Sequence, residues 1–241
     1  MNKITQIYEG KYKRIFKTED ESRYLIEYKD DVPVFGIERR YSEGMINNKV
    51  TNHFMRLLES KGIATHYIEE VSDNETLIRK LRIIPVEVIV RNVAAGSLVK
   101  RFGFAEGKKL SRTILEFSYK DERLGDPYVN KYHIAAMALC SEDELEFMEK
   151  TALKVNEILS DYMENIGITL VDCKLEFGRD EEGNLFLADE ISPESCRLWD
   201  SKTGESWTRT VSEEMWTMWT FWKKLSTALQ ANKLLNKLVN Q

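Results

Sequence analysis

The stretch Val171-Asp172-Cys173-Lys174-Leu175-Glu176-Phe177 decides how this chain folds, because apolar and charged residues alternate strictly along it. Side chains alternate between the two faces of a β-strand, so the pattern predicts a strand with two different faces. One face is apolar and packs on a core. The other face carries Asp172, Lys174 and Glu176, so we expect charged groups to line a cleft there.

A second apolar strand, predicted at 185–189, follows the turn 180–184 and would bring Asp189 close to Glu176 in a hairpin. Two carboxylates on neighbouring strands, with Lys174 between them, are hard oxygen ligands that Mg²⁺ prefers, and phosphates would complete its shell. The alternative is an exposed hairpin whose charges form weak surface pairs. The second strand is too apolar to be solvated, so we predict metal and phosphate binding.

Length and composition place the chain among globular proteins. It has 241 residues, of which 42% are hydrophobic and 31% charged, enough for one large domain or two joined lobes. Its 35 Lys and Arg against 40 Asp and Glu give a net charge of −5, which disfavours nucleic acid as a partner. The three cysteines form no CxxC pair, which disfavours a disulfide framework or a zinc site and fits a reducing cytoplasm. The N-terminus lacks a signal peptide's apolar core and no apolar run could span a membrane, so we expect no membrane partner.

The order of predicted elements indicates an α+β fold. The predicted strands of the first half are 4–8, 13–16, 24–28, 67–71, 76–80 and 83–93, the last buried on both faces. The predicted helices run from Asn47 or Asn48, as the capping residue, to Ser60, from Ser141 to Gly167, and from about Ser212 to the C-terminus. Strands precede a mixture of helices and hairpin, so we expect two packed lobes, 1–92 and 93–241.

A glycine turn joins the first two predicted strands, in Tyr8-Glu9-Gly10-Lys11-Tyr12-Lys13. Gly10 lets the backbone approach a ligand closely, and Lys11 and Lys13, two residues apart, would project to one face. This group could hold a nucleotide's phosphates. The alternative, an ordinary hairpin with solvated lysines, is favoured when the turn is taken alone.

An arginine ends the buried strand that leads into small residues and a predicted helix start. Arg91 can make a bidentate contact with carboxylate or phosphate, and amides at a helix start near Ser97 favour anions. The alternative is tight strand–helix packing with surface charge. We favour anion binding, because a strongly apolar strand should not deliver an arginine without a partner. Arg197, after a sharp turn, is expected close to the hairpin. None of the histidines shows a ligand spacing, so His53, His66 and His133 are predicted core or surface residues.

With these segments in hand, the chain resembles the SAICAR synthetase family of purine biosynthesis over about residues 6–205. The matching motifs are Tyr-Glu-Gly-Lys-x-Lys at 8–13, Gly-Met-Ile-Asn-Asn-Lys at 44–49, Ile-Pro-Val-Glu-Val-Ile-Val-Arg-Asn-Val-Ala-Ala-Gly-Ser-Leu at 84–98, Gly-Asp-Pro-x-Val-Asn at 125–130, Leu-Val-Asp-x-Lys-Leu-Glu-Phe-Gly at 170–178, Leu-Ala-Asp-Glu-Ile-Ser-Pro at 187–193 and Arg-Leu-Trp-Asp at 197–200.

The resemblance implies an ATP-dependent ligase that joins carboxyaminoimidazole ribotide to L-aspartate through an acyl phosphate, giving SAICAR, ADP and phosphate. It also implies a two-lobe, kinase-like or ATP-grasp-like α+β fold with a central nucleotide cleft. ATP and Mg²⁺ are the implied cofactors, the other partners are small molecules, and relatives are commonly homo-oligomers.

The resemblance also assigns roles to residues. The nucleotide phosphates would be cradled by Gly10, Lys11, Lys13 and Lys120, and Mg²⁺ would be held by Glu176 and Asp189. Asp172 and Lys174 would be catalytic, orienting the aminoimidazole and the incoming phosphate. The ribose phosphate or carboxylates of the substrates would be contacted by Arg91, Ser97 and Arg197, with Glu87 and Asp126 also at the substrate.

The chain departs from the family pattern in several places. Tyr12 stands where a small residue is usual, and Cys173 where an aromatic is usual. The runs 32–36 and 208–213 lack groups that the family carries, and we expect both to contact the non-nucleotide substrates. Three hypotheses follow: the purine enzyme itself, a relative that makes a different amide by the same acyl-phosphate route, or a nucleotide-binding protein without catalysis. The intact lysine and carboxylate set argues against the third, and we favour the first.

A tryptophan stripe marks the predicted last helix. Trp216, Trp219 and Trp222 recur every third residue. This pattern favours core or subunit-interface packing, although an apolar wall beside a substrate cleft is the alternative.

Overall fold

The first of two antiparallel β-sheets is built from the N-terminal third of the chain. The structure, a computed structural model, describes residues 3–30, 43–206 and 223–227. The strands of this sheet are Gln6–Glu9 (β1), Lys13–Lys17 (β2), Arg23–Tyr28 (β3), Tyr67–Glu70 (β4) and Glu75–Arg79 (β5). They lie in the order β1-β2-β3-β5-β4.

The second sheet is centred on one long strand. Its strands are Arg82–Ile83 (β6), Val86–Val93 (β7), Lys109–Tyr119 (β8), Tyr128–Val129 (β9), Ile168–Arg179 (β10), Leu185–Ala188 (β11) and Cys196–Asp200 (β12). The main order is β11-β10-β7-β8-β9, and β6 and β12 also pair with β10. Strand β10 contains the alternating stretch 171–177, so its charged face is central to the sheet.

Two long helices enclose the core, one packed against the first sheet (Glu43–Ser60) and one against the second (Glu142–Asn165). The helices are Glu43–Ser60 (α1), Ser97–Phe102 (α2), Lys131–Ala136 (α3) and Glu142–Asn165 (α4), and residues 223–227 are also helical. The buried side chains of the long helices include Val50, Phe54 and Leu58 of α1 and Met148, Val155 and Leu159 of α4. Ser141 and Glu144 form the predicted capping box at the start of α4, which satisfies backbone amides that the helix itself leaves unpaired.

The two sheets meet through backbone hydrogen bonds at a single short bridge among the described strands. His66 N donates to Leu187 O over 2.9 Å, and Leu187 N donates to Ala64 O over 3.0 Å. The chain passes from the first sheet to the second between Arg79 and Arg82, earlier than the lobe boundary predicted at 92/93. The α+β class is confirmed, and a division into two domains at residue 92 stays a prediction.

Two predicted element boundaries are wrong. The strand predicted at 83–93 is broken into β6 and β7 around Pro85, because proline has no N–H to donate to the sheet. Helix α1 begins at Glu43, where Gly44 N donates to Asp30 Oδ1 over 2.9 Å. Asn48, a predicted capping residue, lies inside α1, and its amide reaches across to backbone carbonyls of the β4–β5 turn.

Several sequence features lie outside the described residues. These are the altered runs 32–36 and 208–213, the stripe of Trp216, Trp219 and Trp222, and all of the predicted last helix except 223–227. Among the described residues, no helix combines the length and the apolarity needed to cross a membrane.

Candidate active site

The charged face of β10 carries Asp172, Lys174 and Glu176, as predicted. Asp172 and Glu176 are each only 3% exposed, so both carboxylates need partners. Lys174 Nζ lies 3.1 Å from Glu176 Oε1 and 2.9 Å from Glu87 Oε1, a carboxylate of the neighbouring strand β7. The lysine therefore joins two strands of the sheet through charge-assisted hydrogen bonds.

A cavity of about 420 Å³ separates this face from the first sheet. Its lining includes the predicted nucleotide-binding and metal-binding residues Gly10, Lys11, Lys13, Lys120, Glu176 and Asp189, the predicted catalytic Lys174, and also Tyr12, His66 and Glu190. We refer to it as the first cavity. The prediction that the glycine turn and the acidic hairpin share one cleft agrees with this geometry.

One lysine pairs with carboxylates across the first cavity and so connects the two sheets, and a second ion pair lies on the side of the second sheet. Lys13 of β2 pairs with Asp189 and lies 3.1 Å from Glu190 Oε2. Lys120 Nζ lies 2.6 Å from Glu176 Oε1. Because these lysines already face carboxylates in a buried setting, they provide a fixed set of positive charges for a polyanionic ligand.

Burial and neighbouring charges shift the pKa values of the two predicted metal ligands in opposite directions. Burial by itself would raise the pKa of Asp189, but the charges of Lys13 and Lys174 outweigh it and hold this pKa well below its usual value. Burial, together with the charge of Asp189, raises the pKa of Glu176, although Lys174 and Lys120 oppose that shift. Asp189 is therefore ionised at neutral pH. A cation bound beside Glu176 would stabilise the ionised form of that carboxyl group and lower its pKa.

The two carboxylates fit a magnesium ion that is shared with phosphates. Lys174 Nζ lies within 3.1 Å of Glu176 and 4.0 Å of Asp189, so both acids face one region of the first cavity. Among the described residues, no group of three or more metal-binding side chains is close enough to hold a metal alone. Mg²⁺ commonly takes one or two carboxylates and completes its shell with substrate phosphates and water, which matches this pair.

A second cavity, of about 380 Å³, adjoins the first. Its lining includes the predicted substrate and catalytic residues Arg91, Ser97, Asp172, Lys174 and Arg197, together with Tyr12 and Tyr128. Lys174 and Tyr12 line both cavities, so a ligand in one lies next to a ligand in the other.

Arg91 has the partners that its buried position requires. Its Nε lies 2.6 Å from Glu116 Oε2, its Nη1 lies 2.8 Å from Asp172 Oδ2, and its Nη2 donates to Ser97 Oγ over 3.0 Å. Arg197 Nη1 reaches the same carboxylate, 2.8 Å from Asp172 Oδ2. Two guanidinium groups therefore fix Asp172, and Arg197, whose side chain is 41% exposed, is accessible to a ligand.

Three predicted residues are placed differently from the rest. Glu87 lines neither of the two cavities, and it reaches the site through Lys174, whose Nζ lies 2.9 Å from Glu87 Oε1. Lys11 lies in the turn before β2 rather than on the strand, so the expected shared strand face with Lys13 is wrong, and its Nζ lies 4.9 Å from the ring centre of Tyr12. Asp126 lines neither cavity. Its Oδ1 is buried with no hydrogen-bond partner among the described residues, and its backbone oxygen lies 3.0 Å from Ser118 Oγ.

Sequence reasoning assigned no role to four residues that the structure places at the site. Glu190 pairs with Lys13, and the only signal for it was its place after Asp189. Glu116 and Tyr128 contact Arg91, but they belong to strands that no pattern predicted. His66, predicted as a core or surface residue, is buried and lines the first cavity, and burial, with the charge of Lys13, lowers its pKa to about 4.

The fold and the two adjoining cavities define a protein that handles phosphorylated ligands: lysines and carboxylates line one cavity, and arginines with a serine line the other. The sequence model of the SAICAR synthetase family matches residues 6–215. The chain belongs to the SAICAR synthetase family.

Individual relatives agree with this membership. The chain is 49% identical to the phosphoribosylaminoimidazole-succinocarboxamide synthase of Lachnoclostridium phytofermentans over 208 residues, which are 85% of this chain and 88% of that protein. The crystal structure of the synthase from Ehrlichia chaffeensis superposes with a TM-score of 0.85 at 39% identity, covering 92% of this chain and 98% of that one. A SAICAR synthetase in complex with ADP superposes with a TM-score of 0.83 at 41% identity, covering 91% and 97%.

Proposed function

We propose that this protein is a phosphoribosylaminoimidazole-succinocarboxamide synthase, an ATP-dependent ligase of purine biosynthesis. It transfers the γ-phosphoryl group of ATP to the carboxylate of carboxyaminoimidazole ribotide, which gives an acyl phosphate and ADP. The amine of L-aspartate then attacks the acyl carbon. The new C–N bond forms, phosphate leaves, and the amine loses a proton, giving SAICAR.

The observation that carries this proposal is the contact between the two cavities at Lys174. Its ammonium group faces Glu176 and Asp189 on the nucleotide side, and its side chain also lines the cavity that contains Arg91, Ser97 and Arg197. A phosphoryl group in transit between ATP and a carboxylate would pass this point. A protein that only binds a nucleotide has no need of a second anion cavity at that position.

The residues of the first cavity would bind and orient the triphosphate. Lys13 and Lys120 provide positive charge on the two sides of the cleft, and Gly10 allows the turn to approach the phosphates closely. Mg²⁺ held by Glu176 and Asp189 would neutralise charge on the transferred group. Lys174 would keep contact with the transferred phosphoryl group as it moves toward the acceptor carboxylate, because its Nζ lies close to both Glu176 and Asp189.

The residues of the second cavity would bind the ribotide. Arg197 and Ser97 offer donors to a phosphate or carboxylate, and Asp172, fixed by two arginines, offers an acceptor to the amino group of the imidazole. No covalent intermediate with the protein is required. Catalysis therefore depends on alignment and on a preorganised field of charges.

A coupled assay of ADP release tests the proposal. Purified protein receives ATP, Mg²⁺, carboxyaminoimidazole ribotide and L-aspartate, each omitted in turn. ADP formation that requires all four components supports it. Turnover only with another amine or acid would instead support the different-amide relative, and nucleotide binding without turnover on a broad panel would contradict an enzyme altogether.

We also propose that the protein acts in the cytoplasm as a homo-oligomer. All three cysteines are free thiols, which suits a reducing compartment, and the resemblance to the family implies subunit association. Analytical ultracentrifugation of the full chain measures the oligomeric state, and a single monomeric species at micromolar concentration would contradict it.

A further inference from the structure

Tyr128 stands at the second cavity in hydrogen-bond contact with two of the residues assigned to substrate. It belongs to the short strand β9, and the residue is 36% exposed. Arg91 Nη2 donates to Tyr128 OH over 2.8 Å, and Ser97 Oγ lies 2.7 Å from the same oxygen. Tyr128 occupies the variable position of the family motif Gly-Asp-Pro-x-Val-Asn. The motif therefore does not specify a tyrosine there, and its contacts are a feature of this chain.

The hydrogen-bond count at this point leaves one proton for a ligand. Ser97 Oγ and Tyr128 OH each accept from Arg91 Nη2, and a single hydrogen bond joins them to each other. Each hydroxyl has one proton, and their mutual bond uses only one of the two. Among the described residues, no acceptor takes the other. An oxygen that accepts from a guanidinium is also a stronger donor, because hydrogen-bond chains polarise one another.

Arg91, which lies behind these hydroxyls, has little capacity left to donate hydrogen bonds to a ligand. Its Nε, Nη1 and Nη2 are all engaged, and the Arg91 residue is 1% exposed. An anion in the second cavity therefore meets the two hydroxyls and the accessible Arg197 before it meets Arg91.

A second arginine fixes the ring. The guanidinium carbon of Arg101 lies 3.6 Å from the ring centre of Tyr128, and Arg101 also pairs with Glu116, the acid that holds Arg91. Cation–π stacking and this shared carboxylate restrict the ring to one position. The tyrosine hydroxyl is thus preorganised beside the cavity.

We infer that Tyr128 is a substrate-binding residue whose hydroxyl donates a hydrogen bond to an oxyanion, phosphate or carboxylate, bound in the second cavity. The identity of that substrate rests on the proposed function, but the conclusion that the bound group is an anion does not. The free proton of the Ser97–Tyr128 pair and the accessible Arg197 guanidinium together select a negatively charged oxygen.

The variant Tyr128→Phe tests this, because it removes the hydroxyl and keeps the ring that stacks on Arg101. We expect the KM of one non-nucleotide substrate to rise about tenfold, the effect of one hydrogen bond to a charged group. The kcat should stay within about twofold and the KM of ATP should not change. Tyr132→Phe is the matched control, because Tyr132 is 85% exposed and the same atom is removed.

Calorimetric binding of ribose 5-phosphate and of L-aspartate to the same variants identifies the anion. Weaker binding of ribose 5-phosphate alone assigns a phosphate, and weaker binding of aspartate alone assigns a carboxylate. Unchanged binding of both, or an equal loss for both probes and for ADP, overturns the inference, since an equal loss marks a structural role. These measurements need no turnover, so a failed ligase assay would not decide them.

Discussion

Arg91 Nη1 lies 2.8 Å from Asp172 Oδ2, and both side chains are almost completely buried. Arg197 shares the same carboxylate, so Asp172 pairs with two guanidinium groups at the wall of the second cavity, and Glu116 is a second anionic partner of Arg91. A buried pair of this kind contributes little net stability when it is intact, but loss of one partner is costly, because the other charge is left buried. The contact therefore couples stability to substrate binding.

Asp172→Asn should lower both stability and activity. The variant keeps the shape of the side chain but leaves the two arginines without their shared charge, which should cost about 3 kcal/mol in the free energy of unfolding. Turnover should fall as well, since Arg197 loses its anchor. Urea denaturation and the ADP-release assay measure the two effects. Asp73→Asn, at an exposed pair with Lys49, should cost less than about 1 kcal/mol, and equal losses in the two variants would contradict the buried-pair argument.

Asp189→Asn should abolish turnover and preserve the fold. Asp189 has a φ of 62°, a left-handed conformation that asparagine tolerates well, so the backbone should not change. The variant loses the charge that pairs with Lys13 and would bind Mg²⁺, so kcat should fall by at least about a hundredfold. Circular dichroism checks the fold. Asp180→Asn, in the turn of the same hairpin, is the control, and near-normal turnover by Asp189→Asn would remove Asp189 from the metal site.

The pH profile of kcat/KM should fall at acidic pH, and the Mg²⁺ concentration should change the pH at which it falls. The pKa of Glu176 is raised by burial and by Asp189, so its carboxyl keeps a proton to higher pH than an ordinary glutamate, whose pKa is about 4.3. Only the ionised form can bind the metal, and kcat/KM should therefore fall as the pH drops through the raised pKa. Because Mg²⁺ and the proton compete for the same oxygens, more Mg²⁺ should shift the limb to lower pH. Profiles of kcat/KM at two Mg²⁺ concentrations measure this, and superimposable limbs would exclude Glu176 as the group observed.

Gly96→Ala should weaken substrate binding through Arg197. Gly96 has a φ of 55°, and a Cβ added there would lie 2.6 Å from Arg197 Nη2, so the guanidinium must move. With a ψ of −125°, Gly96 also lies outside the left-handed helical region, so a side chain there adds backbone strain of about 1–3 kcal/mol. Gly103→Ala, at the other end of α2, is the control: its φ is 68°, but no atom lies within 4 Å of the added methyl group. We expect both variants to lose some thermal stability and only Gly96→Ala to raise the KM of the ribotide. The same KM in both would show that Arg197 does not depend on this close approach.

Much of the candidate site could be predicted from local sequence. The two-residue period placed Asp172, Lys174 and Glu176 on one strand face, and the structure has them there. The capping box of Ser141 and Glu144 could likewise be predicted, because its partners are three residues apart in the sequence. Such features depend only on neighbours along the chain, which a sequence displays directly.

Local reasoning was wrong where a tertiary contact replaced a local one. Asn47 or Asn48 is the predicted helix cap, but both lie inside α1. The amide of Asn48 donates to carbonyls of a distant turn, and Asp30 provides the acceptor at the start of α1. The predicted strand face shared by Lys11 and Lys13 also failed, because β2 begins only at Lys13.

Local sequence patterns were enough to predict α4, the charged face of β10 and, through the motifs, the family. Which charges meet depends on tertiary packing: Lys13 pairs with Asp189, 176 residues away, and Arg91 pairs with Glu116 on a strand that no pattern predicted. The physical reason is that periodicity specifies the direction of a side chain relative to its own strand, whereas its partner depends on how two sheets pack. That packing arises from the whole buried core, so no short stretch of sequence contains it.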